Sequence, residues 1–197
     1  MSFPSFSLSG SKSSVPRRLI LAALPGLTFG TASEHTAVAG QALEPPLTLR
    51  GFEMLPPGIS LPEIHLQDAE GGEAGADVLK GRPFLLNLWA TWCAPCVEEL
   101  PSLKRLSEAV GSEVRVILIS QDRGGAAVAQ PFLRRLGVDV PSFADPQGRL
   151  SRVLSARGLP TTFLGRSDGA LLGRYEGGAR WDRPEITSFI RSFLQQK

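Results

Sequence analysis

The chain has 197 residues, 42% hydrophobic and 20% charged, which is the composition of an ordinary globular protein. Its net charge of +2 comes from the first 39 residues, which hold three basic residues and one acidic residue, whereas the rest holds 18 of each. A neutral remainder gives no indication of a nucleic-acid-binding surface, and the length suits one domain with an additional segment.

Residues 1–39 are predicted to be an export signal or an N-terminal anchor. Arg17 and Arg18, in the manner of a twin-arginine signal, precede the apolar run 19–29. Two small-residue cleavage candidates follow, at 30–32 and at 37–39, and the second is a clean A-x-A. The run is too short, and too broken by a Pro-Gly pair, to span the roughly 20 apolar residues that a membrane requires. We therefore expect cleavage rather than anchoring, and a periplasmic or other extracytoplasmic location.

Residues 40–60 are predicted to be a Pro/Gly-rich linker, because prolines and glycines interrupt any periodicity there. Phe52 and Met54 within it are expected to make only incidental contacts. The globular domain is placed at residues 61–197, and its first element is an alternating edge strand over 61–66.

The next segment contains the only two cysteines, Cys93 and Cys96. The apolar run 84–89 before them predicts a strand that is covered on both faces. An apolar face at helical spacing follows them, formed by Val97, Leu100, Leu103 and Leu106. Two residues between the sulfurs, at a strand-to-helix junction, is the spacing of a reversible disulfide.

The position of the pair predicts different roles for its members. The free N–H groups and positive dipole end of a helix favour an anion, so we expect Cys93 to have a lowered pKa and to be the exposed nucleophile. Cys96, one turn further, is expected to be the shielded resolving thiol. Pro95 suits the first helical turn, where its missing N–H is not needed.

The segment WATWCAPC, followed by residues 98–101 (EELP), resembles the active site of the thioredoxin superfamily, specifically the TlpA/ResA-like extracytoplasmic thiol–disulfide oxidoreductases. The resemblance implies an α/β, thioredoxin-like fold with a central mixed β-sheet flanked by helices and an N-terminal β-hairpin. It also implies that Glu99, on the same helix face as Cys96, transfers protons. Asn87 replaces the buried Asp of thioredoxin and cannot exchange a proton. The alternative is that Glu99 is merely an acid favoured by the helix N-terminus.

Further strands and helices follow in α/β order. Residues 114–120 predict a buried strand, 126–136 a helix, and 141–148 a loop with turn chemistry. Strand, helix and strand in succession indicate a parallel βαβ unit. A hairpin is then predicted between 161–164 and 171–175.

The chain is predicted to end in an amphipathic helix. Asp182 is expected to be its N-cap, with Glu185 completing a capping box. The apolar stripe is assigned to the core; it consists of Ile186, Phe189, Ile190, Phe193 and Leu194.

The sequence around Pro160 carries a second implication of the resemblance. Thioredoxin-like proteins place a cis-proline here, before a strand and against the cysteine pair, so we expect the Leu159–Pro160 bond to be cis. The backbone of Leu159 would then pair with an extended client segment. Trp92 is expected to cover the site. The alternative is an ordinary strand-entry turn.

A lone pair of cysteines at this spacing is compatible with four functions. A copper-handling protein would need a CxxxC spacing and a distant histidine, but both histidines, His35 and His65, precede the cysteines. A static disulfide closing so short a loop would stabilise little. Peroxidase chemistry is disfavoured because Ala90 stands where a threonine is wanted. A thiol–disulfide oxidoreductase without cofactor or metal remains the prediction.

The resemblance further implies that the protein reduces client disulfides. Its clients would be the haem-binding cysteines of apocytochrome c or a copper-centre oxidase subunit, and a membrane thiol transporter would supply electrons. We expect a monomer. An oxidising interchange protein stays open, because the dipeptide between the sulfurs does not decide the direction.

Overall fold

The computed structural model describes residues 44–195. The predicted export signal lies outside this range. The strands are β1 (Glu53–Met54), β2 (His65–Gln67), β3 (Glu73–Gly75), β4 (Phe84–Trp89), β5 (Arg115–Ser120), β6 (Ser142–Ala144), β7 (Thr161–Gly165) and β8 (Leu171–Glu176). The helices are α1 (Ala94–Val110), α2 (Ala126–Arg135), α3 (Arg149–Val153) and α4 (Pro184–Leu194), with 3₁₀ turns at Leu47–Leu49 and Ala76–Leu79.

The strands form one mixed sheet in the order β1-β8-β7-β4-β5-β6-β2-β3. Strands β4, β5 and β6 are parallel, whereas β7 and β8 run antiparallel to their neighbours. The parallel β4–α1–β5 unit confirms the predicted βαβ arrangement. Strands β2 and β3 pair antiparallel next to β6.

Every residue of β4 is buried, because helices or turns cover both faces of the sheet. Leu85 and Trp89 pack with side chains of α1, α2 and α4. Phe84, Leu86 and Leu88 pack on the opposite face with α3 and the second 3₁₀ turn. The unbroken apolar run of β4 is thus the sequence counterpart of a central strand.

The packed region begins before residue 61. β1 pairs with β8, and Leu49 is only 1% exposed. Phe52 places its ring edge-on against Phe189 and Phe193 of α4, with centroids 5.2 and 5.3 Å apart. The expectation of an incidental contact is therefore wrong for Phe52: an isolated aromatic in a Pro/Gly-rich segment gives no periodic signal.

Two further local predictions are corrected. The predicted loop 141–148 contains β6, and its Asp145 accepts hydrogen bonds from the first amides of α3. Helix α4 is preceded by Arg183 as N-cap, while the expected cap Asp182 instead pairs with Arg105 on α1 at 2.7 Å. The apolar stripe of α4 is buried, as predicted.

No helix within residues 44–195 combines the length and apolar character that crossing a membrane requires.

Candidate active site

The two cysteines lie where β4 gives way to α1. Cys93 is the N-cap residue of α1, Cys96 lies in its first turn, and a disulfide joins them. Pro95 occupies the first turn, as predicted. Cys96 is fully buried and Cys93 is 6% exposed. Cys93 is therefore the more accessible sulfur-bearing residue, although it is more covered than expected.

A buried carboxylate holds the loop that precedes Cys93. Asp122 accepts hydrogen bonds from the Thr91 amide at 3.0 Å and the Thr91 hydroxyl at 2.6 Å. The Ser120 hydroxyl donates a third at 2.8 Å. This anchor was missed in the sequence analysis. Its signal was the position of Asp122 just after β5, because parallel neighbours such as β4 and β5 end at the same sheet edge.

Helix α1 carries a second buried carboxyl group three residues after Cys96, that of Glu99, which is 2% exposed. Its Oε1 accepts a hydrogen bond from Asn87 Nδ2 at 2.7 Å. Its Oε2 accepts two, from the Ala179 amide at 3.0 Å and from Trp181 Nε1 at 2.8 Å. We call Glu99 and these three donors the inner pocket. Sequence reasoning found Glu99 and Asn87 but not the donors from the segment between β8 and α4.

Burial raises the pKa of Glu99 to about 7, although the hydrogen bonds from Trp181, Ala179 and Asn87 act in the opposite direction by favouring the charged form. A carboxyl group with this pKa exchanges its proton near neutral pH. A cavity of about 310 Å³, lined by Pro95, Glu99 and the backbone segment 178–180, leads to it from the surface. Glu99 is thus buried but within reach of solvent protons.

Asn87 can accommodate both protonation states of Glu99. Its Nδ2 also donates to the Thr162 hydroxyl at 2.9 Å, while its Oδ1 is buried without a partner among the described residues. Rotating the amide would let Oδ1 accept from protonated Glu99 and from the same hydroxyl, since both can donate. Asn87 cannot itself exchange a proton, but it can follow the proton on Glu99.

A second cavity lies between the residue before Cys93 and the residue before Pro160. The Trp92 side chain is 70% exposed, and it shares with Leu159 the walls of a cavity of about 280 Å³, which we call the outer groove. The pairing of Leu88 with Thr161 places Pro160, just before β7, at the sheet end where β4 leads to Cys93.

The Leu159–Pro160 bond is cis, which confirms that prediction. Within residues 44–195, no hydrogen bond engages the backbone N–H or C=O of Leu159. The structure therefore brings all the predicted site residues to one end of the sheet. Trp92 and Leu159 line the outer groove, Pro160 directly follows Leu159, Glu99 lies in the inner pocket, and Cys93, Pro95 and Cys96 lie at the start of α1.

A metal site is not visible in the described part of the chain: no group of three or more His, Cys, Asp or Glu side chains converges there. The one histidine in this range, His65, is exposed on β2 and pairs with Glu73.

Comparison with known proteins agrees with this geometry. Residues 57–172 match the AhpC/TSA family. The thiol–disulfide oxidoreductase ResA of Bacillus subtilis is 29% identical over 123 residues, which are 62% of this chain and 68% of that protein. ResA of Bacillus anthracis is 30% identical over 121 residues, covering 61% of this chain and 69% of that one.

The fold agrees as well. The crystal structure of a DsbF homologue from Corynebacterium diphtheriae superposes with a TM-score of 0.59 at 24% identity, over 72% of this chain and 92% of that one. The mixed sheet, the flanking helices and the dithiol at the start of α1 are thus those of a thioredoxin-like protein. The chain belongs to the AhpC/TSA family and is, within it, a ResA-like thiol–disulfide oxidoreductase.

Proposed function

We propose that this protein is an extracytoplasmic reductant of client-protein disulfides, with Cys93 as nucleophile, Cys96 as resolving thiol and Glu99 as the base that serves Cys96. The observation that carries the proposal is the inner pocket. A carboxyl group whose pKa is about 7 follows Cys96 by one helical turn on the same face of α1, and Cys96 must lose a proton before a client can be released.

The cycle begins with both cysteines reduced. The Cys93 thiolate, favoured by the amides at the start of α1, attacks one sulfur of a client disulfide. A mixed disulfide forms, and the other client sulfur leaves as a thiolate and takes up a proton. The Cys96 thiol then gives its proton to the Glu99 carboxylate, and the Cys96 thiolate attacks the sulfur of Cys93. The second client sulfur leaves Cys93 as a thiolate and takes up a proton, Glu99 releases its proton to solvent, and the Cys93–Cys96 disulfide remains. The client has then gained two electrons and two protons.

The outer groove is proposed to hold the client. The backbone N–H and C=O of Leu159 are free to form hydrogen bonds with an extended client segment, which would then lie beside Leu159 as an added strand. Pro160 follows Leu159 directly and precedes β7. Trp92 provides an exposed aromatic surface next to the reacting sulfur. Pro95, in the first turn of α1, shapes the surface that the client meets.

The sequence supports a proposal for the surroundings of the reaction. We propose that residues 1–39 direct export, as a cleaved signal or as an anchor, and that the protein acts as a monomer. Residues 40–60 are proposed to connect this segment to the domain, with Leu49, Phe52 and β1 packed against the domain. The clients are proposed to be disulfides in the haem-binding cysteines of apocytochrome c or in a copper-centre oxidase subunit. A membrane thiol transporter would return two electrons to the Cys93–Cys96 disulfide after each cycle.

Trapping tests both the cysteine roles and the client class. The probe is a synthetic peptide with an oxidised Cys-x-x-Cys-His sequence, incubated with reduced Cys96→Ala protein and examined by mass spectrometry. We expect one peptide bound through Cys93, and complete reduction of the same peptide by the unmodified protein. Peptide bound through Cys96 in a Cys93→Ala variant would reverse the assignment of roles.

The reduction potential tests the direction. A reductant is expected near the potential of thioredoxin, about −270 mV, and an oxidising interchange protein near that of DsbA, about −120 mV. A value at the oxidising end, with net oxidation of a reduced peptide, would contradict the proposal.

A further inference from the structure

Trp181 connects the segment between β8 and α4 to the inner pocket. Its side chain is 1% exposed and its ring meets Tyr175 edge-on, with centroids 5.8 Å apart. Its indole N–H donates to Glu99 Oε2 at 2.8 Å, and its backbone N–H donates to the Ser102 hydroxyl at 3.1 Å. Two separate bonds thus fix this residue against α1.

A second buried tryptophan shows that burial of an indole does not by itself require such a bond. Trp89 is fully buried in β4, yet its Nε1 has no hydrogen-bond partner within the part of the chain that the structure describes. The two residues contribute similar apolar volume to the same core, and only Trp181 contacts the Glu99 carboxyl group. Packing and hydrogen bonding can therefore be separated by comparing them.

The geometry at Oε2 favours the charged form of Glu99. An indole N–H and a backbone N–H can only donate, so a carboxylate oxygen that accepts from both Trp181 and Ala179 has no room for its own proton there. We propose that Trp181 is a positioning residue of this site: its indole N–H fixes Oε2 of Glu99 and keeps the carboxylate available as a base. The inference rests on the proposed proton-transfer role of Glu99.

The other groups around Glu99 determine how the test is designed. The pKa of the Tyr175 phenol is raised by burial first and by the charge of Glu99 second, so it ionises only well above the range of interest. In the oxidised protein the cysteines do not titrate. Around Glu99, Asn87 on β4 donates to its carboxyl group and Thr162 on β7 contacts Asn87. Tyr175 on β8 is close enough for its pKa to respond to the charge of Glu99, and Glu98 and Arg180 line the cavity.

The direct measurement is a pH titration of Glu99 in the oxidised protein. The carboxyl ¹³C NMR signal of selectively labelled glutamate reports its protonation. Trp181→Phe keeps an aromatic ring against Tyr175 but removes the N–H. Since a hydrogen bond to a charged group is worth more than one to a neutral group, we expect the pKa of Glu99 to rise by about one pH unit. Trp89→Phe, the matched control, is expected to leave it unchanged.

The kinetic measurement follows release of a peptide client by the reduced protein as a function of pH. With Trp181→Phe, the acid limb of the pH profile should shift to higher pH by the same amount as the pKa of Glu99. A purely structural defect would instead lower the rate at every pH. In a Glu99→Gln background, Trp181→Phe should move nothing. If Trp181→Phe does not fold, 3-benzothienylalanine at position 181 removes the N–H while keeping the bicyclic shape.

The outcomes separate the two proposals. An unchanged pKa of Glu99 in Trp181→Phe, or an equal shift in Trp89→Phe, overturns the role of Trp181. The pKa of Glu99 could instead shift in Trp181→Phe while the pH profile of client release stays unchanged in both Trp181→Phe and Glu99→Gln. That result overturns the proton-transfer role of Glu99, while the hydrogen-bonding role of Trp181 at Oε2 stands.

Discussion

The outer groove, lined by Trp92 and Leu159, and the inner pocket around Glu99 differ in exposure and in hydrogen bonding. The groove is open, and its Trp92 is 70% exposed, whereas Glu99 in the pocket is 2% exposed and accepts three hydrogen bonds. Exposure suits the binding of varied polypeptides, while burial is what brings the pKa of a carboxyl group close to neutral. In the proposed mechanism, client binding and proton transfer are therefore assigned to separate residues, and we expect that they can be altered separately.

The largest effect is expected at Cys93, the proposed nucleophile, because both client binding and proton transfer serve its reaction. Cys93→Ser should reduce disulfide reduction to the uncatalysed rate, because a hydroxyl at this position is neither ionised nor nucleophilic toward sulfur. The measurement is the rate of peptide disulfide reduction with a chemical dithiol as electron source. Appreciable turnover through Cys96 alone would contradict the assignment of Cys93 as the nucleophile and Cys96 as the resolving thiol.

On the inner side, Glu99→Gln should slow release of the client at neutral pH by about 100-fold, the scale of a lost general base. Attack by Cys93 should change much less, so the mixed disulfide should accumulate in quenched reactions. The control is Glu108→Gln, an exposed acid on the same helix. Equal slowing of attack and release would place the effect of Glu99 outside the resolving step.

The inner pocket should also make stability depend on pH. The pKa of Glu99 rises from 4.5 to about 7 on folding, so between these values the native protein binds the proton more tightly than the unfolded chain does. The stabilisation is full below pH 4.5 and is lost as the pH rises through 7. For the oxidised protein, the free energy of unfolding should fall by about 2 to 3 kcal/mol between pH 5 and pH 8.

Urea unfolding at both pH values measures this difference, with Glu99→Gln as the control that should abolish it. The surface carboxyl groups with lowered pKa, those of Asp139, Asp168 and Asp182, act at lower pH and with the opposite sign, so they do not disturb this window. An equal fall in Glu99→Gln would assign the dependence to another group.

A substitution in the outer groove is expected to have the smallest effect on disulfide reduction, and to affect peptide substrates more than small ones. Trp92→Ala should lower kcat/KM for a peptide disulfide by about three- to tenfold, since an exposed aromatic contributes contact area but no chemistry. Reduction of a small disulfide such as oxidised glutathione should stay within twofold. A matching loss for both substrates would mean that Trp92 supports the cysteines rather than the client.

The elements that sequence reasoning found are those with a strong local signal. The continuous apolar run of β4, the helical spacing in α1 and α4 and the Cys93–Cys96 spacing each depend on neighbouring residues alone. β6 was missed because three residues are too few for a periodic pattern. The capping prediction for Asp182 was wrong because its pairing with Arg105, far along the chain, competes with the cap.

The dithiol at the junction of a buried strand and a helix can be predicted from neighbouring residues, because that arrangement is local. Its surroundings depend on contacts between distant parts of the chain. Trp181 and Ala179 lie about 80 positions from Glu99 along the chain and still supply the donors to its carboxyl group. Desolvation and hydrogen bonding act over a few ångströms in space, so the spacing of residues along the chain does not reveal them. The pKa of Glu99 therefore depends on the folded structure and cannot be predicted from the local sequence.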